Sequence, residues 1–232
     1  MVDLENQAVP ALLNNNVNFL TSREWVPSGA EPRFGILDMF WATMVTSIIA
    51  MLIAVPLGVA VALFLIVLVA DLVQYWTHRA YHEVPVLWRL HAVHHSVKSM
   101  DWLAGSRQHI LELIITRTLV LAPIFVLGFS KEVIDAYIVI VGFQAVFNHA
   151  NVSVRLGPLR YVIVTPNFHH WHHSADAEGI DRNYAAHFAF LDYAFGTAHK
   201  ADRAWPNGYG VVGDYVPNGF FKQLAFPFVW KG

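Results

Sequence analysis

The sequence has no cysteine and few charges: only 14% of its 232 residues are Asp, Glu, Lys or Arg. The first absence excludes disulfides, thiolate metal sites and cysteine nucleophiles. The second is a large deficit against the roughly 25% usual in soluble domains. With 56% hydrophobic residues, it points to a chain embedded in a membrane. The net charge is −2 and no basic block occurs, so nucleic acid is not an expected partner. No basic start followed by an apolar core and cleavage site is found at the N-terminus, so a signal peptide is not expected. The H-E-x-x-H, G-x-S-x-G, P-loop and dinucleotide-binding glycine motifs are missing too. A zinc protease of the H-E-x-x-H type is therefore disfavoured. With no flavin or nicotinamide site apparent, electrons for any redox chemistry must come from a partner.

What the chain has instead is histidine, thirteen in all. His78 and His82 lie four apart, which places both imidazoles on one helix face. His91, His94 and His95 follow as H-x-x-H-H, and His169, His172 and His173 repeat that spacing within TPNFHHWHH. His149 stands alone at the end of an apolar run. Consecutive histidines point apart, so His94 and His95 can serve two different metals. One tetrahedral zinc takes about four ligands. Nine imidazoles suit two metals of higher coordination, each keeping an open position, and imidazole accommodates iron as well as zinc. His170 breaks the match between the two clusters and either faces away or stands behind a ligand. Asp71, Gln74, Tyr75, Asn148, Asn151 and Asp176 are candidates to fix the imidazole tautomers, with packing or turn capping as the alternative. His109, His187 and His199 are isolated and read as surface or hydrogen-bonded residues.

Taken in order, residues 1–35 form a lead-in with asparagines at 14–16 and breakers Pro27, Gly29 and Pro32. Phe19, Leu20, Trp25 and Val26 are able to rest on a membrane. No charged residue occurs from Met39 to Ala70, too long a run for one ordinary span. Pro56 and Gly58 near its middle predict two helices, about 37–55 and 59–82. The second carries Asp71, Tyr75, His78 and His82 as one stripe, and polar groups at such depth need partners or a metal. Residues 83–108 read as an amphipathic interfacial cap. Apolar runs at 110–127 and 133–147 predict a second hairpin, with Glu112 and Arg117 facing protein or the interface. Arg79, Arg89, Lys98, Arg107, Arg155 and Arg160 fall on the histidine side and Lys131 opposite. The positive-inside rule then puts the histidines on the cytoplasmic face, and the N-terminus with them if the first hairpin forms. The expected fold is all-α: an integral, multi-pass membrane four-helix bundle of two helical hairpins under a cytoplasmic histidine-bearing helical cap. Its divisions are a lead-in at 1–35, a membrane domain at 36–200, and a C-terminal interfacial segment at 201–232 packed on that domain.

These motifs resemble the fatty acid hydroxylase superfamily, often called the sterol desaturase family. DLVQYWTHRAYH supplies that family's opening pattern through Asp71, Tyr75, Trp76, His78, Arg79 and His82. His91, His94, His95 and Ser96 match its H-x-x-H-H-S. His149 and Asn151 match its middle element, and His169, His172 and His173 its last cluster. Asn183, Tyr184, Asp192 and the FGT at 195–197 match its later signature. Ser153 stands where some relatives carry a further histidine. The resemblance implies a non-haem site of two Fe ions held by His78, His82, His91, His94, His95, His149, His169, His172 and His173, with O2 as cosubstrate. It also implies hydroxylation of a C–H bond in a membrane lipid, or desaturation at the same site, with electrons from a cytochrome b5-like or ferredoxin-type donor. Substrates across that superfamily include fatty acyl groups, sterols, sphingoid bases, ether lipids and carotenoid-like molecules. A dry apolar channel is expected to place the substrate, with helix walls around Trp102, Phe143 and Phe147 as candidates. A membrane zinc hydrolase, which would need neither oxygen nor reductant, and a metal transporter, whose ligands would run through the bilayer depth, are the competing classes.

Overall fold

The computed structural model describes residues 17–199 apart from Pro27, Gly29 and Pro32, and residues 204–230 apart from Asp214. The asparagines at 14–16 and the three breakers therefore lie outside the described residues. The chain divides into two compact units, residues 1–60 and 61–232. In the first, Trp25–Val26 (β1) pairs antiparallel with Arg33–Phe34 (β2). The Trp25 ring meets the Phe34 ring edge-on at 5.4 Å.

The border between the units falls inside one helix, Leu37–Glu83 (α1). The break expected at Pro56 and Gly58 does not occur, so a single helix replaces the expected first hairpin. Proline inside a helix removes one backbone hydrogen bond and costs about 3 kcal/mol. Ending the helix in apolar surroundings would leave several N–H and C=O groups unpaired, at several kcal/mol each. Continuation is favoured by that comparison. At 1.5 Å per residue the helix is about 70 Å long. Among the described residues it is the one helix long and apolar enough to cross a membrane. Most apolar side chains in its first half are open to their surroundings, Leu52 being 70% exposed. A cytoplasmic N-terminus no longer follows from a first hairpin.

In the second unit, α1 is followed after Val84 by Pro85–His95 (α2), with Pro85 in the first helical turn where its missing N–H costs nothing. A 3-10 turn at Ala104–Ser106 leads to Ile110–Val126 (α3). His109 caps α3: its Nδ1 accepts from the Leu111 N–H at 3.2 Å, and its Nε2–H donates to the Leu224 carbonyl at 3.1 Å. A short link at 127–130 gives Lys131–His149 (α4), capped by Ser130. Two helices joined by a four-residue link therefore stand where the second hairpin is expected. The 17 residues of α3 span about 25 Å, slightly less than a hydrocarbon core of about 30 Å. Pro166–His172 (α5), Phe190–Phe195 (α6) and Phe220–Val229 (α7) complete the helices. Ile66, Val67 and Ala70 of α1 pack with Val120 and Ile124 of α3 and Tyr137 and Val141 of α4. The C-terminal segment closes over α2. There Trp88 donates to the Tyr215 hydroxyl at 2.7 Å, and Tyr215 stacks on Trp230 at 4.7 Å.

Candidate metal centre

The stripe predicted on α1 faces inward. Asp71, Tyr75 and His78 are buried, and the His82 side chain is 3% exposed. α2 contributes His91, His94 and His95, all buried. His149 is the last residue of α4, and α5 with its C-cap adds His169, His172 and His173. The nine histidines expected as ligands converge into two groups. His78, His82, His91, His95 and His172 form one, and His94, His149, His169 and His173 the other. Within each group the ligand nitrogens lie within 4.8 Å of one another. The neighbours His94 and His95 fall into different groups, as do His172 and His173. Consecutive helical residues point apart, and here each pair bridges the two sites. His109, His170, His187 and His199 lie outside both groups.

Proton positions follow from the outer nitrogens. Nδ1 of His78 lies 2.6 Å from the Tyr184 carbonyl and that of His172 lies 2.7 Å from the Arg182 carbonyl. Nδ1 of His94 lies 3.0 Å from the Arg107 carbonyl and that of His149 lies 2.8 Å from the Ala145 carbonyl. A carbonyl can only accept, so each Nδ1 carries the proton and donates. His91 donates from Nδ1 to the Glu112 carboxylate at 2.7 Å, and His82 to the Asp181 carboxylate at 3.0 Å. The inner Nε2 atoms then present bare lone pairs. Those of His78 and His91 face each other at 3.0 Å, and those of His94 and His149 at 3.4 Å. The Nε2 atoms of His82 and His172 are buried without any partner. Opposed lone pairs away from water repel, and each buried acceptor left unpaired costs about 1–3 kcal/mol. A cation in each group removes both penalties, so the donor set fits two metal ions. The outer acceptors are the usual device for fixing a ligand's tautomer.

Electrostatics agree. Burial pushes His91, His94, His95, His169, His172 and His173 well below the ordinary imidazole range, and their crowding adds to the shift. These rings are neutral at physiological pH, the form that binds metal.

The candidates for tautomer control are placed differently from expectation. Asp71 accepts the backbone N–H groups of Ala186, His187 and Phe188. Tyr75 pairs with the Thr197 hydroxyl at 2.8 Å, and Asp176 accepts from Asn207. His170 meets the Tyr209 hydroxyl at 2.7 Å and packs against Trp205, while Asn151 is exposed. Asn148 donates to the Ala186 carbonyl. The acceptors behind the imidazoles are instead Glu112, Asp181 and four backbone carbonyls. Glu112 carried a signal, as a carboxylate in an apolar run. The carbonyls carry none, since any residue type supplies one.

A cavity of about 140 Å³ reaches both groups, touching His78, His91, His94, His149 and His169. Its other walls include Gln74, Tyr81, Thr116, Arg117, Tyr137 and His187. Trp102, Phe143 and Phe147, the candidate walls of a substrate channel, stand apart from it. Phe143 and Trp102 are 75% and 57% exposed, and none of the three lines this cavity.

The fatty acid hydroxylase family profile matches residues 62–197. The chain is 34% identical to ornithine lipid hydroxylase OlsE of Rhizobium tropici, over 76% of this chain and 53% of that protein. It is 34% identical to the alkylglycerol monooxygenase of Homo sapiens, over 55% of this chain and 28% of that one. A very-long-chain aldehyde decarbonylase of Oryza sativa subsp. japonica, GL1-4, is 27% identical over 56% of this chain and 22% of its own length. The chain thus spans about half or less of the length of these relatives. No solved structure matches. The profile covers both H-x-x-H-H clusters, His149 and the loop behind them, and the chain belongs to the fatty acid hydroxylase family.

Proposed function

We propose that this chain hydroxylates a C–H bond of a membrane lipid with dioxygen, at two iron ions. His78, His82, His91, His95 and His172 hold one ion, and His94, His149, His169 and His173 the other. Bound there, the two irons supply the oxidising power that inserts an oxygen atom from dioxygen into an unactivated C–H bond. The observation that carries the reading is the pair of opposed, unprotonated Nε2 atoms in each group. The protein's own share is positional. Glu112, Asp181 and the carbonyls of Arg107, Ala145, Arg182 and Tyr184 lock the imidazoles with lone pairs inward. Burial keeps those rings neutral, and the cavity brings substrate to both groups at once. The printed names of two relatives, a lipid hydroxylase and an alkylglycerol monooxygenase, support oxygen insertion and a lipid substrate. Electrons come from an external donor. α1 and the α3–α4 hairpin sit in the bilayer as a multi-pass anchor, with the histidines at the cytoplasmic face, as the distribution of Arg and Lys favours.

The test supplies purified, iron-loaded protein with a chemical reductant, oxygen and a membrane lipid extract, read by mass spectrometry. A lipid that gains one oxygen atom is the expected product, and His94→Ala lowers the iron content and abolishes its formation. Loss of two hydrogens would make the enzyme a desaturase. No oxidised lipid from a fully loaded protein overturns the proposal.

A further inference from the structure

The cavity beside the two histidine groups carries, within a mixed lining, buried polar atoms that a hydrocarbon tunnel would lack. Besides His169 of the second histidine group, three buried side chains on its wall each hold an atom with no hydrogen-bond partner: Glu112 Oε2, Asn148 Oδ1 and His187 Nδ1. These residues are 3%, 2% and 9% exposed, and buried polar atoms are nearly always paired. Arg117, an exposed residue in the middle of the apolar α3, also lines the cavity. Among the described residues no carboxylate forms an ion pair with it. It lies close enough to Tyr137 and His187 to act on both electrostatically. A guanidinium in an apolar helix matches an oxyanion on the ligand, and the acceptors Glu112 Oε2 and Asn148 Oδ1 match hydroxyl or amine donors on it.

We propose that Arg117 binds an anionic oxygen group of the lipid substrate, a carboxylate or a phosphate, within this cavity, while Glu112 Oε2 and Asn148 Oδ1 accept from a hydroxyl or amine elsewhere on the same headgroup. This rests on the reading of the site as a lipid oxygenase and narrows its substrate to anionic lipids.

The experiment measures binding to the full-length protein in detergent, without turnover. The probes are hexadecanoate, hexadecyl phosphate and the neutral hexadecanol, read by native mass spectrometry. The unmodified protein should bind at least one anionic probe about tenfold or more tighter than hexadecanol, the scale of a charge-assisted pair. The better of the two anions identifies the group as carboxylate or phosphate. Arg117→Gln should erase the preference and Arg117→Lys retain part of it, with metal content unchanged in both. Lys131→Gln, at the far end of the hairpin, should retain it fully. Equal binding of all three probes by the unmodified protein overturns the proposal, as does an undiminished preference in Arg117→Gln. Because binding is read apart from oxidation, a failed hydroxylation with an intact anion preference would count against the oxygenase reading alone.

Discussion

At the scale of single residues, the second histidine group depends on a position with no side chain. A Cβ on Gly105 would lie 2.9 Å from Nδ1 of His149 and 3.2 Å from its Cε1. The ring cannot yield without losing the Ala145 carbonyl that fixes its proton. Gly105→Ala should therefore swing His149 and weaken metal binding at the second group by about 10–100-fold, the usual effect of disturbing a ligand's support. Metal titration of the variant measures this, and an unchanged affinity would show that His149 is not held by that contact. Acid should act on the six depressed imidazoles of α2 and α5 together. Folded, they stay neutral well below pH 6.5. Unfolded, they take up protons near about 6.5. Below that value the unfolded chain binds more protons, so stability falls as pH falls and recovers as it rises. The melting temperature of the metal-free protein should thus drop steadily from about pH 7 toward about pH 5, and a flat profile would mean that these rings are not buried together. The convergence of the nine histidines was legible in spacing, because H-x-x-H-H on a helix allows few arrangements. Gly105 was not, since nothing local distinguishes it from other turn glycines.

At the scale of elements, one loop orients most of the first group. Asp181, Arg182 and Tyr184 supply the acceptors for His82, His172 and His78. Asp181 and Asn183 adopt left-handed backbone conformations, with φ of 57° and 59°, and Asn183 is tied to Phe168 and His199. Asp192 fastens the loop by accepting the N–H groups of Tyr184 and Ala185 and the Thr197 hydroxyl. Asp71 does the same for residues 186–188 from α1. The second group takes nothing from residues 181–184. Asp192→Ala leaves the Tyr184 and Ala185 N–H groups unpaired, at about 1–3 kcal/mol each, while the Thr197 hydroxyl keeps Tyr75, and should free the loop while sparing His94 and His149. Elemental analysis should show metal falling from two ions per chain toward one, with Asp192→Asn restoring part of the loss. Equal loss at both groups would remove the selective role of the loop. Residues Asn183, Tyr184 and Asp192 were recognisable as a signature, but their task was not, because it operates through backbone groups. The helix break at Pro56 was misread for a related reason: proline's local penalty is smaller than that of exposing backbone in an apolar medium.

At the scale of the molecule, the absence of cysteine makes the membrane arrangement directly measurable. The proposal sets the histidine groups and the 170–200 region on one side of the bilayer and the α3–α4 turn on the other. Glu178 and Glu132 are exposed at those two places, and neither takes part in a described ion pair. A cysteine introduced at either position is then the only thiol in the chain. In sealed vesicles of known orientation, a membrane-impermeant maleimide should label Glu178→Cys from the cytoplasmic side and Glu132→Cys from the opposite side. Labelling of both from one side would mean that α3 and α4, at about 25–29 Å each, enter the bilayer and return without crossing it. The histidine groups would keep their geometry in that case, since the contacts that build them lie within the second unit. The path by which a lipid reaches Arg117 would change, because both ends of the hairpin would then open to the same leaflet.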